Sequence, residues 1–189
     1  MSTKPTSLPF TGDPEADALI ATDPLARLIG YSLDQQVTVQ KAFSGPLELS
    51  RRLGGLDAAA IASMDPSALE AAFREKPALH RFPGTMAVRV QDVCRHVASV
   101  YGGDAGRIWG EATSGEDLER RLLAIPGIGA MKAKSITAVL ANRFDVRPPG
   151  WEAVMPDYPT LGDVDSAAAL ADYQAKKRAH KAELRAAGG

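Results

Sequence analysis

Three Asp-Pro pairs, Asp13-Pro14, Asp23-Pro24 and Asp65-Pro66, constrain this chain more than any other feature. In each, an aspartate suited to accept from unpaired first-turn amides precedes a proline at the first helical position, where its missing N–H costs nothing. Ser114 followed by Asp117 is a weaker start of the same kind. Between these signals Ala, Leu, Arg and Glu dominate, and no run alternates apolar and polar residues as a half-buried strand does. Gly54-Gly55, Gly102-Gly103 and Gly127 are natural helix stops. The pattern predicts helices over about 24–34, 37–53, 57–63, 66–76, 85–101, 115–124, 129–143 and 166–186. Gly45-Pro46 should kink or split the second, because proline cannot donate to the ladder. The chain reads as all-α.

At 189 residues, 45% hydrophobic and 24% charged, it is long enough for one domain with a core of its own. The Ser-, Thr- and Pro-rich residues 1–12 are expected to fray, leaving 13–189 as the folded unit. The single Cys94 excludes an internal disulfide and any four-cysteine zinc or iron–sulfur site. Flanked by Val93 and Val97, it reads as a small core residue. His80, His96 and His180 show no metal-ligand spacing. No apolar run approaches the ~20 residues of a membrane span, and MSTKPTSLPF lacks the apolar stretch of a secretion signal. The expected setting is therefore cytoplasmic, with no membrane partner. Net charge is -1, so a nucleic-acid surface would have to be local.

The most specific text is Ile125-Pro126-Gly127-Ile128-Gly129 between two helical stretches, a hairpin spanning about 116–143. Pro126 ends the first helix, while Gly127 and Gly129 permit a tight turn and close approach of backbone to a ligand. The following helix opens with unpaired N–H groups and the positive end of its dipole, which suits a phosphate. Lys132, Lys134 and Arg143 follow, with no acid between Gly129 and Arg143. That supplies the local basic surface DNA requires. A second unusual stretch is Asp34-Gln35-Gln36 at the junction of two helices. Glutamines are poor core residues, and their paired donor and acceptor suit base edges or a gap in a duplex. Residues 146–162, VRPPGWEAVMPDYPTLG, carry four prolines and read as a long loop, functional or wrapped against the body.

Together these segments resemble the helix–hairpin–helix DNA glycosylase superfamily. The likeness covers about 17–143, and Asp34-Gln35-Gln36-Val37-Thr38 is nearer the 3-methyladenine branch than the endonuclease III branch. The resemblance implies a helical barrel with both chain ends packed beside it. It implies a monomer that excises a damaged or mismatched base from double-stranded DNA, without a cofactor. In this reading Gly127, Ile128 and Gly129 hold a phosphate, Lys132 and Lys134 assist, and Gln35 and Gln36 engage the gap. The iron–sulfur members end in four cysteines, which this chain lacks.

The family's catalytic aspartate lies in a Val-Asp-Thr-type motif that opens the helix after the hairpin. Asp165, between Val164 and Ser166, matches it best, and Asp163 is second. The same positions suit a helix N-cap, and Asp165 falls 36 residues after Gly129, a longer interval than the family's. Bifunctional members place a Schiff-base lysine two residues after the second hairpin glycine. Met131 stands there, and Lys132 is one step later, about 100° round the helix. A monofunctional glycosylase without lyase activity is the expectation; a non-catalytic protein for damaged or distorted DNA is the alternative. Tyr31 and Trp151 are candidates to stack on an extruded base, although aromatic residues of this kind are more often core. The closing helix, 166–186, carries Lys176, Lys177, Arg178, Lys181 and Arg185, a run suited to brushing DNA, although it usually marks a solvated face.

Overall fold

A computed structural model describes residues 4–188. The chain forms α1 (Pro14–Thr22), α2 (Pro24–Leu33), α3 (Val39–Leu53), α4 (Ala58–Ser63), α5 (Pro66–Arg74), α6 (Pro83–Tyr101), α7 (Arg107–Gly110), α8 (Gly115–Leu123), α9 (Ala130–Phe144) and α10 (Ala167–Ala187). Short 3-10 turns occupy Trp151–Val154 and Leu161–Asp163. Among the described residues there is no strand, and no helix is long and apolar enough to cross a membrane.

The Asp-Pro signals act as written. Asp13, Asp23 and Asp65 each accept from amides of the turn they open, each cap contributing about 1 kcal/mol. Pro46 behaves otherwise. α3 runs through it without interruption, and Gly45 and Pro46 are both buried. Gly45 lies flush against Leu33, where an added Cβ would stand 2.5 Å from the Leu33 side chain. Tertiary packing thus outweighs the lost hydrogen bond.

α2 is the centre. Every residue from Leu25 to Leu33 is buried, with α1, α3 and α6 packed around the helix. Arg27 is 3% exposed. Its guanidinium donates to the Ile20 and Ala21 carbonyls at 2.9 and 2.7 Å and stacks over Phe144, so it closes the open end of α1. Burial lowers its pKa to about 10.

The expected fraying of 1–12 does not extend to its described part; residues 1–3 lie outside the described range. Leu8 and Phe10 are fully buried, and Phe10 packs edge-on against Phe43. The buried Asp17 carboxylate accepts from the Phe10 and Thr11 amides and the Thr11 hydroxyl, which fixes the segment. The Pro-rich stretch is likewise wrapped onto the body. Gly115 opens α8 against Gly150 and Trp151, while Leu161 and Val164 enter the core and Gly162 lies on Ala138 of α9.

Candidate functional site

The hairpin forms as its sequence predicts. α8 ends in a turn anchored by the buried Ile125 and Ile128, and the Ile128 amide donates to the Ile125 carbonyl at 3.1 Å. Gly127 has φ +79°, the left-handed region that favours glycine, and a Cβ there would lie 3.1 Å from the Arg89 side chain, which would have to give way slightly. α9 then starts without a side-chain cap. The amides of Ala130, Met131 and Lys132 donate to no other described residue. They form an open edge of the type that receives a phosphate. Ile128 contributes an anchor to this edge and no free amide, which corrects its expected place among the phosphate ligands.

Arg89 of α6 ties the hairpin to the glutamine turn. Its side chain lies against Gly127 and donates to Gln35 Oε1, while Gln35 Nε2 approaches Met86 Sδ at 3.9 Å. Gln35 is therefore committed within the protein, whereas Gln36 is exposed and held at φ +56°. His80 sets this turn from beneath. Its Nδ1 accepts from the Phe82 amide, so Nε2 carries the proton and donates to the Leu33 and Gln35 carbonyls, both at 3.0 Å. Burial holds its pKa below the ordinary histidine value, consistent with a neutral ring.

Behind the glutamine turn lies a cluster that sequence reasoning missed. Asp34 ends α2, Lys132 comes from the first turn of α9, and Lys177 and Tyr173 come from α10. Burial raises the Asp34 pKa, and the charges of Lys177 and Lys132 oppose that rise. Burial lowers the Lys132 pKa, with Asp34 opposing and Arg89 and Lys177 reinforcing. The Lys132 Nζ is enclosed and finds no hydrogen-bond partner. Its expected role as a surface contact to phosphate is therefore corrected: the side chain turns inward, and only its backbone amide faces the open edge. Lys134 is half-buried. Burial also raises the Tyr173 pKa. Asp34 stands in the very text that names the glutamine pair, but its meaning depends on lysines about 100 and 140 residues away.

The other predicted residues lie apart from this cluster. Tyr31 is 1% exposed, edge-on to Phe43, with its hydroxyl 3.2 Å from that of Ser135. It is a core residue and offers no face for a base. Trp151 opens a 3-10 turn, with Arg147 over its ring. Asp163 is exposed, and its carboxylate accepts from the Thr160 amide at 2.8 Å while the Thr160 hydroxyl accepts from the Gly162 amide. This is a cap for the Leu161–Asp163 turn, so the group is structurally engaged. It borders an open cleft of about 470 Å³ that also takes in Tyr158, Thr160, Asp172, Tyr173 and Lys176. Asp165 is exposed, precedes the Ser166 cap of α10 and does not line that cleft. Cys94 is fully buried, which pushes its thiol up to about 12 and leaves it unreactive. Among the described residues, no group of three or more His, Cys, Asp or Glu is arranged to hold a metal ion.

No protein-family model matches the chain, and no curated protein matches it significantly.

Proposed function

We propose that this protein is a DNA glycosylase that extrudes a damaged or mismatched base from duplex DNA and breaks its N-glycosidic bond. One observation carries the reading: Lys132 belongs to both halves of the site. Its backbone amide is part of the open edge on α9, and its side chain enters the buried cluster with Asp34. A phosphate held at that edge brings the adjoining nucleotide toward the cluster. Extrusion leaves a gap in the duplex, and the exposed Gln36 stands at the rim to occupy it.

The chemistry follows from the groups present. As the bond between C1′ and the base nitrogen breaks, its electron pair leaves with the base and the sugar becomes cation-like. The Asp34 carboxylate, partly buried at the end of α2, opposes that charge and accepts a proton from the water that adds to C1′. In this reading Asp34 takes the part that the family resemblance assigned to Asp165 or Asp163.

A second reading rests on the unpartnered Lys132 Nζ. An amine whose pKa is lowered by burial is unprotonated more often, and so is a better nucleophile. Attack at C1′ would displace the base, which leaves with the bonding electron pair. The attached nitrogen then gives up a proton as the C1′–O4′ bond opens to an imine and O4′ is protonated. Loss of a C2′ proton expels the 3′-phosphate, which is the lyase step. The monofunctional reading requires no such adduct.

Single-turnover excision decides among these, on duplexes carrying uracil, a thymine mismatch, hypoxanthine, 8-oxoguanine or 3-methyladenine. Loss of excision in Asp34→Asn with retention in Asp163→Asn and Asp165→Asn supports the proposal. Loss in Asp165→Asn alone returns the acid to the helix after the hairpin. Binding without excision of any base on the panel favours a non-catalytic DNA-binding protein. Borohydride trapping of a DNA adduct that disappears in Lys132→Gln separates the lyase from the monofunctional enzyme.

A further inference from the structure

The sequence of α9 promises three cations at the hairpin, but its folded surface delivers less. The Lys132 Nζ is turned inward and the Arg143 Nε is enclosed. Arg89 is committed to Gln35. A chain with net charge -1 that binds a polyanion therefore needs basic surface elsewhere.

α10 supplies it. Leu170 is its one buried residue, Tyr173 and Gln174 are half-buried, and every residue from Ala175 to Gly188 is exposed. Gln174 exchanges hydrogen bonds with Gln40 of α3 at 3.1 and 2.7 Å, the last that α10 makes with another element. Beyond them the helix projects for about 20 Å. It can do so because its base is anchored, Ser166 caps it, and Ala, Lys, Arg, Leu and Glu are strong helix formers.

The charges on the projecting half are sorted. At about 100° per residue, Lys177, Arg178, Lys181 and Arg185 fall within an arc of roughly 100°, and Leu170 and Gln174 fall inside the same arc. The face that seats the base of the helix on the body thus continues outward as a basic stripe without an acid. Asp172 and Glu183 lie on the opposite side with Lys176, which pairs with Asp172 at 2.8 Å. Leu184 is the one large apolar residue beyond Tyr173. That leaves no apolar stripe to insert into a bilayer or to zip against a second copy, and two such helices would repel.

We infer that the projecting half of α10 is a second DNA-contacting arm, which lays Arg178, Lys181 and Arg185 along phosphates of the duplex beside the extruded base. The inference rests on the DNA reading above, and it adds to the hairpin a contact surface formed by a different element. Lys177, at the root of the stripe, joins the arm to the Asp34 cluster.

The test uses the full-length protein and a labelled, undamaged duplex, with affinity measured by anisotropy across a range of NaCl concentrations. Each phosphate contact contributes about -0.9 to the slope of log affinity against log salt. The triple variant Arg178→Gln, Lys181→Gln, Arg185→Gln should lower the magnitude of the slope by between about two and three. Lys176→Gln, on the opposite face, should leave it unchanged. Gln preserves helix propensity, and circular dichroism checks that α10 persists. An unaltered slope in the triple variant overturns the arm while the DNA reading stands. So does an equal loss per charge in Lys176→Gln, which would make the effect one of net charge. Absence of salt-dependent binding by the wild-type protein overturns both.

Discussion

Asp163 shares an open cleft with Tyr173 and Asp34 acts on Tyr173 by its charge, yet the two acids are opposites as carboxylates. Asp34 is half-buried and raised in pKa by burial, with the charges of Lys177 and Lys132 opposing that rise. Asp163 is exposed and accepts from the Thr160 amide to close a turn. The first sits in conditions that poise a group for proton transfer, and the second in conditions that stabilise a loop. A motif position is therefore a weaker guide to chemistry than the surroundings that the fold assembles. Asp163 and Asp165 occupy the expected place in the chain, while Asp34 occupies the unusual environment.

The sharpest way to break this comparison is to exchange the consequences of the two acids. Asp34→Asn should lower single-turnover excision at least about 100-fold, the lower range for a positioned acid–base group. Asp165→Asn should leave it within about twofold, since its carboxylate makes no described hydrogen bond and does not line the cleft that Asp163 borders. The reverse result would end the case for Asp34.

The next test sharpens the structural side. Gly162 lies so close to α9 that an added Cβ would stand 2.6 Å from both the carbonyl carbon and the Cβ of Ala138. Neither neighbour is the end of a flexible side chain, so Gly162→Ala should destabilise the protein by about 2 kcal/mol. The measurement is the midpoint of urea unfolding. Gly129→Ala is the matched control: it has an ordinary φ of -89° and meets nothing within 4 Å. Equal midpoints for the two variants would mean that the Pro-rich arm is not seated on α9.

A smaller effect belongs to the cap itself. Asp163→Ala removes the acceptor for the Thr160 amide and should cost about 1 kcal/mol. Excision should change little. A stability loss matched by a large fall in rate would give Asp163 a role in the reaction as well as in the turn.

Local rules carried the reading of this chain a long way. Asp-Pro starts, glycine stops and the Ile125–Gly129 turn are decided by backbone groups within a few residues, and they lie where the pattern put them. What was illegible depends on distant partners. Residues 8–10 are ordered by Asp17 and Phe43, and Pro46 is tolerated because its helix is enclosed. The Lys132 side chain is turned inward, where it feels the charge of Asp34, so a residue that looked like a surface cation became the link between two halves of a site. Arg27 resembles any helical arginine until the carbonyls at the end of α1 and the Phe144 ring surround it.

The smallest predicted effect concerns the support under the glutamine turn. His80 must be neutral to accept from the Phe82 amide at Nδ1, and its folded pKa lies below the ordinary 6.5. Between the folded and unfolded values the unfolded chain binds more protons, so stability is full above about pH 6.5 and declines as pH falls toward the folded pKa. Burial of His96 acts in the same direction. Asp34 acts oppositely: its raised pKa makes the ionised carboxylate unfavourable in the folded state, and that burden lifts as pH falls through its folded value. The informative quantity is therefore a difference. Between pH 7.5 and pH 5, Tm should fall further in the wild-type protein than in His80→Gln, because the terms from His96 and Asp34 are common to both. Equal falls would mean that the His80 ring is not the pH-sensitive brace of the turn that presents Gln36.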